Sequence, residues 1–227
     1  MTIDYNALFD LSQVYDNWQL LVSGGLMTIY IAITATVMAG IVGVLMALLL
    51  NSRRGWIVLA TRIYVEVIRG TPLLIQMYIL YYGLPAFGIV LSGFWAAVIA
   101  LGLNSAAYVG EVSRGAIASI DRAQREAGMA VGMNALTTYR RIILPQAFPV
   151  ALPSLVGEVI DIVKWSSLAT VIAVPEITQI VFQIISQSFR GFAILFILLA
   201  LFYFILTWSL SVMSRALESR LTRYRLR

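Results

Sequence analysis

Long apolar runs alternate with short clusters of arginine along this chain, and the alternation predicts helices that cross a bilayer. A spanning helix needs about 20 mostly apolar residues. The run Trp18–Leu50 contains no charged residue and ends at Asn51-Ser52-Arg53-Arg54-Gly55. A second candidate covers residues 56–82; its first half carries Arg62, Glu66 and Arg69, and Gly83, Pro85 and Gly88 close it. Residues 94–110 give a third, and residues 192–212, followed by an arginine-rich tail, give the last. Between these lies a harder segment, residues 147–175, with Pro149, Pro153, Glu158, Asp161 and Lys164. Apolar residues continue on both sides of its charges, over 150–156 and 168–174, so it is predicted to be a fifth, interrupted span.

Charge fixes the orientation. Basic residues gather on the cytoplasmic side of membrane proteins. The first 17 residues hold Asp4, Asp10 and Asp16 and no base, which places them outside and also lacks the basic start of a cleavable signal. Arg53, Arg54 and Arg62 place the first loop inside. The uncharged loop 83–93 lies outside, and Arg114, Arg122, Arg125, Arg140 and Arg141 place the third loop inside. A fourth loop, 176–190, has only Glu176 and Arg190 and lies outside; the tail with Arg215, Arg220, Arg223, Arg225 and Arg227 lies inside. Five spans, N-terminus out and C-terminus in, satisfy all six segments, whereas four would misplace one terminus. The expected fold is an all-α integral membrane protein with one transmembrane domain over residues 1–227 and a polar cytoplasmic loop at 111–147.

Composition agrees and removes other classes. The chain is 60% hydrophobic and 12% charged, against about 25% charged for soluble domains. It has no cysteine and no histidine, which excludes disulfides, thiol nucleophiles and the usual zinc ligand sets. With no nucleophile–base pair in view, an enzyme is not expected. The net charge of +5 comes almost wholly from arginine, Lys164 being the single lysine. Those arginines sit between apolar runs, so membrane topology accounts for them and nucleic acid does not.

The polar loop carries the most specific pattern. It reads Gln124-Arg125-Glu126-Ala127-Gly128-Met129-Ala130-Val131-Gly132, then nine residues, then Ile142-Ile143-Leu144-Pro145. A helix is predicted from Arg122, with Gly128 and Gly132 stacked four apart on one small face, Glu126 favoured near its start by the helix dipole, and Pro145 stopping the next helix. Such a face lets another surface come close; a plain solvated connecting helix has the same physical signature.

The spacing resembles the "EAA" loop of ATP-binding-cassette importer permeases: E-A-A, three residues, G, nine residues, I-x-L-P. Glu126, Ala127, Gly132, Ile142, Leu144 and Pro145 match, and Gly128 replaces the third small residue. Arg69-Gly70-Thr71-Pro72-Leu73-Leu74 resembles a stretch of the polar amino acid permeases. So do Ala107-Tyr108 through Glu111, Arg114-Gly115-Ala116-Ile117, Leu144-Pro145-Gln146-Ala147 and Lys164-Trp165-Ser166-Ser167-Leu168, where the branch usually has K-D-T-S-L. The resemblance covers residues 20–215. It implies a multi-pass permease in the bacterial cytoplasmic (inner) membrane that translocates an amino acid, polar or cationic. Its implied partners are ATP-binding-cassette ATPase subunits, a second identical or paralogous permease, and a periplasmic or lipid-anchored solute-binding protein. Glu126, Ala127, Gly128, Gly132, Ile142, Leu144 and Pro145 would couple to the ATPase. No cofactor is expected in this chain: it lacks a G-x-x-x-x-G-K-[ST] loop, and ATP and Mg would sit on the partner ATPase. An ATP-independent secondary transporter or channel would explain the spans but not the spaced loop.

Apart from Arg62, counted with the first loop, the charges inside the spans are Glu66, Arg69, Glu158, Asp161 and Lys164. A charge at a helix centre costs about 2.5–3.5 kcal/mol on insertion scales, so such residues pair, face an interior or line a path. Glu66 and Arg69 are i, i+3; Glu158, Asp161 and Lys164 form an i, i+3, i+6 ladder on one face. They are candidates for the substrate path, and a structural salt-bridge network is the other reading. Acids outnumber bases three to two, and the branch often has uncharged residues at 158 and 161, which leans toward contact with an ammonium or a cationic side chain.

Overall fold

The computed structural model describes residues 8–188 and 190–223, with side chains through Ser219. Asp4, Arg225 and Arg227, which enter the charge argument, lie outside the described residues. Ten α-helices are seen among the described residues: α1 (Ser12–Asp16), α2 (Trp18–Leu50), α3 (Gly55–Gly70), α4 (Leu73–Tyr78), α5 (Gly93–Ala118), α6 (Arg122–Ala130), α7 (Ala135–Thr138), α8 (Leu144–Trp165), α9 (Ile177–Ser188) and α10 (Phe192–Arg223). Four helical stretches are long and apolar enough to span: Trp18–Leu50, Gly93–Ala118, Ala135–Ile172 and Phe192–Ser219. The pair Gly55–Gly70 and Leu73–Phe87 supplies a fifth when taken as one broken span.

The second predicted span is therefore not one continuous helix. Pro72 bars its predecessor from the helical region, and Thr71 is extended at φ −114°, ψ 138°. The Thr71 hydroxyl donates to the Val67 carbonyl at 2.9 Å, satisfying an acceptor at the end of α3.

The fifth span also differs from expectation. α8 runs straight through Pro149 and Pro153, and Pro145 does not stop a helix. A π-helical turn over Tyr139–Ile143 precedes Pro145, with the Leu144 N–H bonded five residues back to the Tyr139 carbonyl. This wider turn takes up the misfit of proline, whose missing N–H and ring clash disturb a regular helix. The real interruption follows Trp165. The Ser166 and Ser167 hydroxyls donate to the Val163 and Lys164 carbonyls, each at 2.7 Å, and such local bonds compete with the helical ladder. The chain passes into a 3-10 stretch, Ser166–Ile172, and then turns at Ala173 with φ 53°.

The predicted fourth loop, 176–190, is mostly helix. Ile177, Ile180, Val181 and Ile184 fall at i, i+3, i+4, i+7, and α9 buries them.

The contacts divide the chain into two compact units, residues 1–36, 72–101 and 161–209, and residues 37–71, 102–160 and 210–227. In the first unit Ile180, Val181, Ile184 and Leu195 form a core closed by Val14, Leu21, Ile194 and Leu199. Asp10 pairs with Arg190 at 3.3 Å, so the N-terminal tail and the segment after α9 lie at the same end, as an outside location for both requires. The Ser12 hydroxyl and N–H hold the Asp10 carboxyl below its ordinary value; it stays ionised, and the pair persists, into acid beyond the usual carboxylate range.

In the second unit small residues bring α2 and α5 together. A Cβ added at Gly43 would lie 2.4 Å from Val109 Cγ1, and one at Gly110 would lie 2.8 Å from Met46 Cβ. Ala116, Ala147 and Ala151 make a further core with Val112, Ile120 and Leu155. Many of the other large side chains turn outward. Trp56, Leu59, Ile63 and Val67 on α3 are exposed, as are Phe204, Ile205 and Trp208 on α10. A soluble protein avoids such continuous apolar stripes; lipid is their solvent.

Candidate substrate path and coupling loop

The charged face of α8 is intact. Glu158 and Asp161 are half-buried on consecutive turns, and Lys164 is exposed a turn further. The Lys164 ammonium meets Asp161 Oδ1 at 2.8 Å, with the side chains 54% and 39% exposed. A pair this open to its surroundings retains polar atoms that an incoming solute can reach. On α3 the structure separates the other two candidates. Arg69 does not pair with Glu66; its guanidinium lies 5.0 Å from the centre of the Tyr108 ring, and cation–π attraction holds it over that face. Glu66 is exposed. Lys164 and Asp161 thus form an ion pair on α8, and Glu66 and Arg69 do not pair with one another on α3.

The polar loop is a buttressed helix rather than a loose connection. α5 runs on to Ala118, and helix resumes at Ala135, which shortens the free loop. Asp121 caps α6 by accepting the Ala123 N–H at 2.9 Å. Glu126, expected near the start, sits in the second turn and pairs with Arg122 at 2.9 Å, an exposed i, i+4 contact of small energetic weight. The Arg125 guanidinium donates to the Tyr139 hydroxyl and lies 4.8 Å from the ring centre.

The two glycines do different work from the stacked face that their spacing implies. Gly128 turns toward its own chain: a Cβ there would lie 2.9 Å from Thr138 Cγ2 and 3.0 Å from Ile142 Cδ1. Gly132 is past the end of α6 at φ 80°, with the Met133 N–H returning to the Gly128 carbonyl at 3.0 Å. That is the left-handed helix stop that glycine favours. Ile142 thus packs inside the loop module, while Glu126, Ala127, Leu144 and Pro145 are exposed. The outward apolar surface of the loop includes Met129, Val131 and Leu136, which the motif does not single out, beside Leu144, which it does.

Sequence reasoning also missed Glu176. Counted among the residues of an outer loop, it is fully buried. Its signal lay in the alternation that follows it, an amphipathic helix preceded by an acid.

A bundle of apolar helices that carries an open ion pair in a span and a braced polar loop defines a multi-pass membrane transport protein. The chain belongs to the family of binding-protein-dependent transport system inner membrane components, whose pattern matches residues 39–223. It is 39% identical over 211 residues to the L-cystine transport system permease protein TcyB of Bacillus subtilis, covering 91% of this chain and 88% of that one. It is 38% identical over 216 residues to the glutamine transport system permease protein GlnP of Escherichia coli, covering 94% and 98%. Among solved structures it superimposes on an amino acid ABC transporter crystallised with histidines at TM-score 0.86 and 36% identity, over 97% of this chain and all of that one. The methionine transporter MetNI shares the fold, at TM-score 0.77 and 19% identity over 90% and 97%.

Proposed function

We propose that this chain is the membrane-spanning subunit of an ATP-driven importer that moves a polar or cationic amino acid across the bacterial inner membrane, N-terminus out and C-terminus in. ATP and Mg bind on separate ATPase subunits, which dock on the loop around α6. A second permease, identical or paralogous, completes the path, and a solute-binding protein delivers the amino acid. The observation that carries the reading is the bracing of α6. Arg125 on Tyr139 and Gly128 on Thr138 and Ile142 tie the exposed helix to the segment that continues into α8. A push on α6 is thereby delivered to the helix that holds Glu158, Asp161 and Lys164. Relatives named for cystine and glutamine transport support an amino acid as cargo, and the acids on α8 support a cationic group on it.

The test is ATP hydrolysis by the complex in proteoliposomes, with the binding protein and arginine, lysine, histidine, glutamine, glutamate or cystine. Stimulation by one chemical class is expected, arginine and lysine first. A stable complex that none of the six stimulates removes the amino acid reading. Failure of the chain to bind any ATPase removes the importer reading itself, and solute flux without ATP would replace it with a channel or secondary transporter.

A further inference from the structure

Between α8 and α9 the chain makes an elbow whose parts are more elaborate than a connection needs. Seven residues of 3-10 helix, Ser166–Ile172, lead to Ala173 in the left-handed region at φ 53°. Runs of 3-10 helix beyond 3–4 residues are uncommon and mark hinges or strain, and a left-handed alanine adds strain of its own. After Pro175 comes Glu176, fully buried. Its Oε1 accepts the Gln179 N–H at 2.9 Å, and its Oε2 accepts the Thr178 N–H at 2.9 Å and the Tyr203 hydroxyl at 3.1 Å. Thr28 Oγ1 lies 3.5 Å from the same oxygen and accepts the Ile177 N–H at 3.2 Å. The carboxylate thus ties the start of α9 to α10 through Tyr203, while Thr28, whose own proton goes to the Gly24 carbonyl at 3.0 Å, ties it to α2 by accepting the Ile177 N–H. The Thr170 hydroxyl adds a bond back to Gln179 Oε1 at 2.5 Å.

Holding α9 in place does not require this arrangement. Its apolar face already packs on α2 and α10 through Ile180, Val181 and Ile184, and serine, threonine or aspartate caps a helix without the burial of so long an acid. A buried charge is weak support for stability and is best attested where it fixes one arrangement among several. The strained turn supplies the alternative that such a charge would select against.

We infer that Glu176 is a positioning residue that latches the elbow between α8 and α9, and that release of this latch frees the start of α9 from α2 and α10 as a gate beyond the charged turn of α8. The transport part of the inference rests on the importer reading above; the structural part does not. Glutamine at 176 keeps the volume but turns one of the two acceptor oxygens into a donor, which then faces either the Thr178 or the Gln179 N–H. Phenylalanine at 203 removes one donor and keeps the ring. Glycine at 173 relieves the strain and strengthens the arrangement seen.

The chain has no cysteine, so Ser23→Cys on α2 and Gln183→Cys on α9, both exposed, accept spin labels at defined sites. The reconstituted complex with native residues at 173, 176 and 203 is expected to show one dominant distance without nucleotide. Glu176→Gln should add a second, longer distance and raise the ATP consumed per solute imported by about tenfold, the loss of one charge-assisted hydrogen bond. Tyr203→Phe should do the same more weakly, and Ala173→Gly should keep the single distance. An unchanged single distance in both Glu176→Gln and Tyr203→Phe overturns the latch. So does a fall in transport and hydrolysis together, in proportion to the amount of complex assembled, because a structural prop would act that way. If Glu176→Gln does not assemble, Tyr203→Phe decides. If the unsubstituted complex imports nothing, the importer reading fails, and the distances still decide the latch.

Discussion

Gly43→Val is expected to be the most destabilising single change in the second unit, lowering the apparent melting temperature in detergent by about 10 °C. The cause is the distance between α2 and α5. A Cβ at 43 would lie 2.4 Å from Val109 Cγ1, 2.6 Å from Val109 Cβ and 3.2 Å from the Ala106 carbonyl oxygen. Neither a backbone oxygen nor a β-branched side chain, stiff at χ1 in a helix, can move aside, so the helices must part. Overpacking costs about 1–3 kcal/mol where side chains can shift; here about 3 kcal/mol is the lower end, and each kcal/mol moves the midpoint by about 2–4 °C at this chain length. Gly40→Ala, one turn away, is the control. Nothing lies within 4 Å of its Cβ, so it should leave the midpoint unchanged or raise it slightly through helix propensity. Thermal shift measurements on the two proteins check the claim; equal midpoints would mean that α2 and α5 are not packed as described.

Part of this was legible in the residue pattern and part was not, for separable reasons. The run around Trp18–Leu50 matches α2 because polar residues bound it and neither a charge nor a proline interrupts it. The stop at Thr71 is local too, since Pro72 dictates it, yet hydropathy merges α3 and α4 because apolar residues run on through both despite Arg62, Glu66 and Arg69. The prolines of α8 misled in the other direction. A proline is read as a break, but the π turn over Tyr139–Ile143 absorbs Pro145 and the helix carries Pro149 and Pro153. The break comes instead after Trp165, where the chain passes into a 3-10 stretch and turns at Ala173. Glu176 and α9 look like loop in the sequence because an acid before an amphipathic run reads as charge rather than as a cap.

The loop shows what spacing alone does not resolve. Gly128 and Gly132 are four apart and would stack in an ideal helix. The helix ends at Ala130, however, so one glycine became packing and the other a stop. The motif is legible because its residues stand in order at fixed spacing; the roles of its members depend on where α6 ends, which the left-handed Gly132 sets.

Asp161→Asn is expected to raise the concentration of a cationic amino acid needed for half-maximal stimulation of ATP hydrolysis by about 30-fold, the smaller end of the cost of removing one member of a close charge pair. Glu158→Gln should act in the same direction and Glu66→Gln should not, because Glu66 lies on another helix and has no place in the α8 ladder. The competing account is that Asp161 serves only to neutralise Lys164 at 2.8 Å. A double-mutant cycle separates the two. If the acid contacts the solute, Asp161→Asn shifts the half-maximal concentration for arginine and lysine more than for glutamine, whereas Lys164→Met leaves that preference in place. If the acid serves only the lysine, the two single variants lose activity equally for every solute and the double variant is no worse than either. Selective loss in Asp161→Asn with retained preference in Lys164→Met assigns the acids of α8 to recognition. The equal, solute-blind pattern assigns them to the helix alone, and cationic preference would then have to arise on the binding protein.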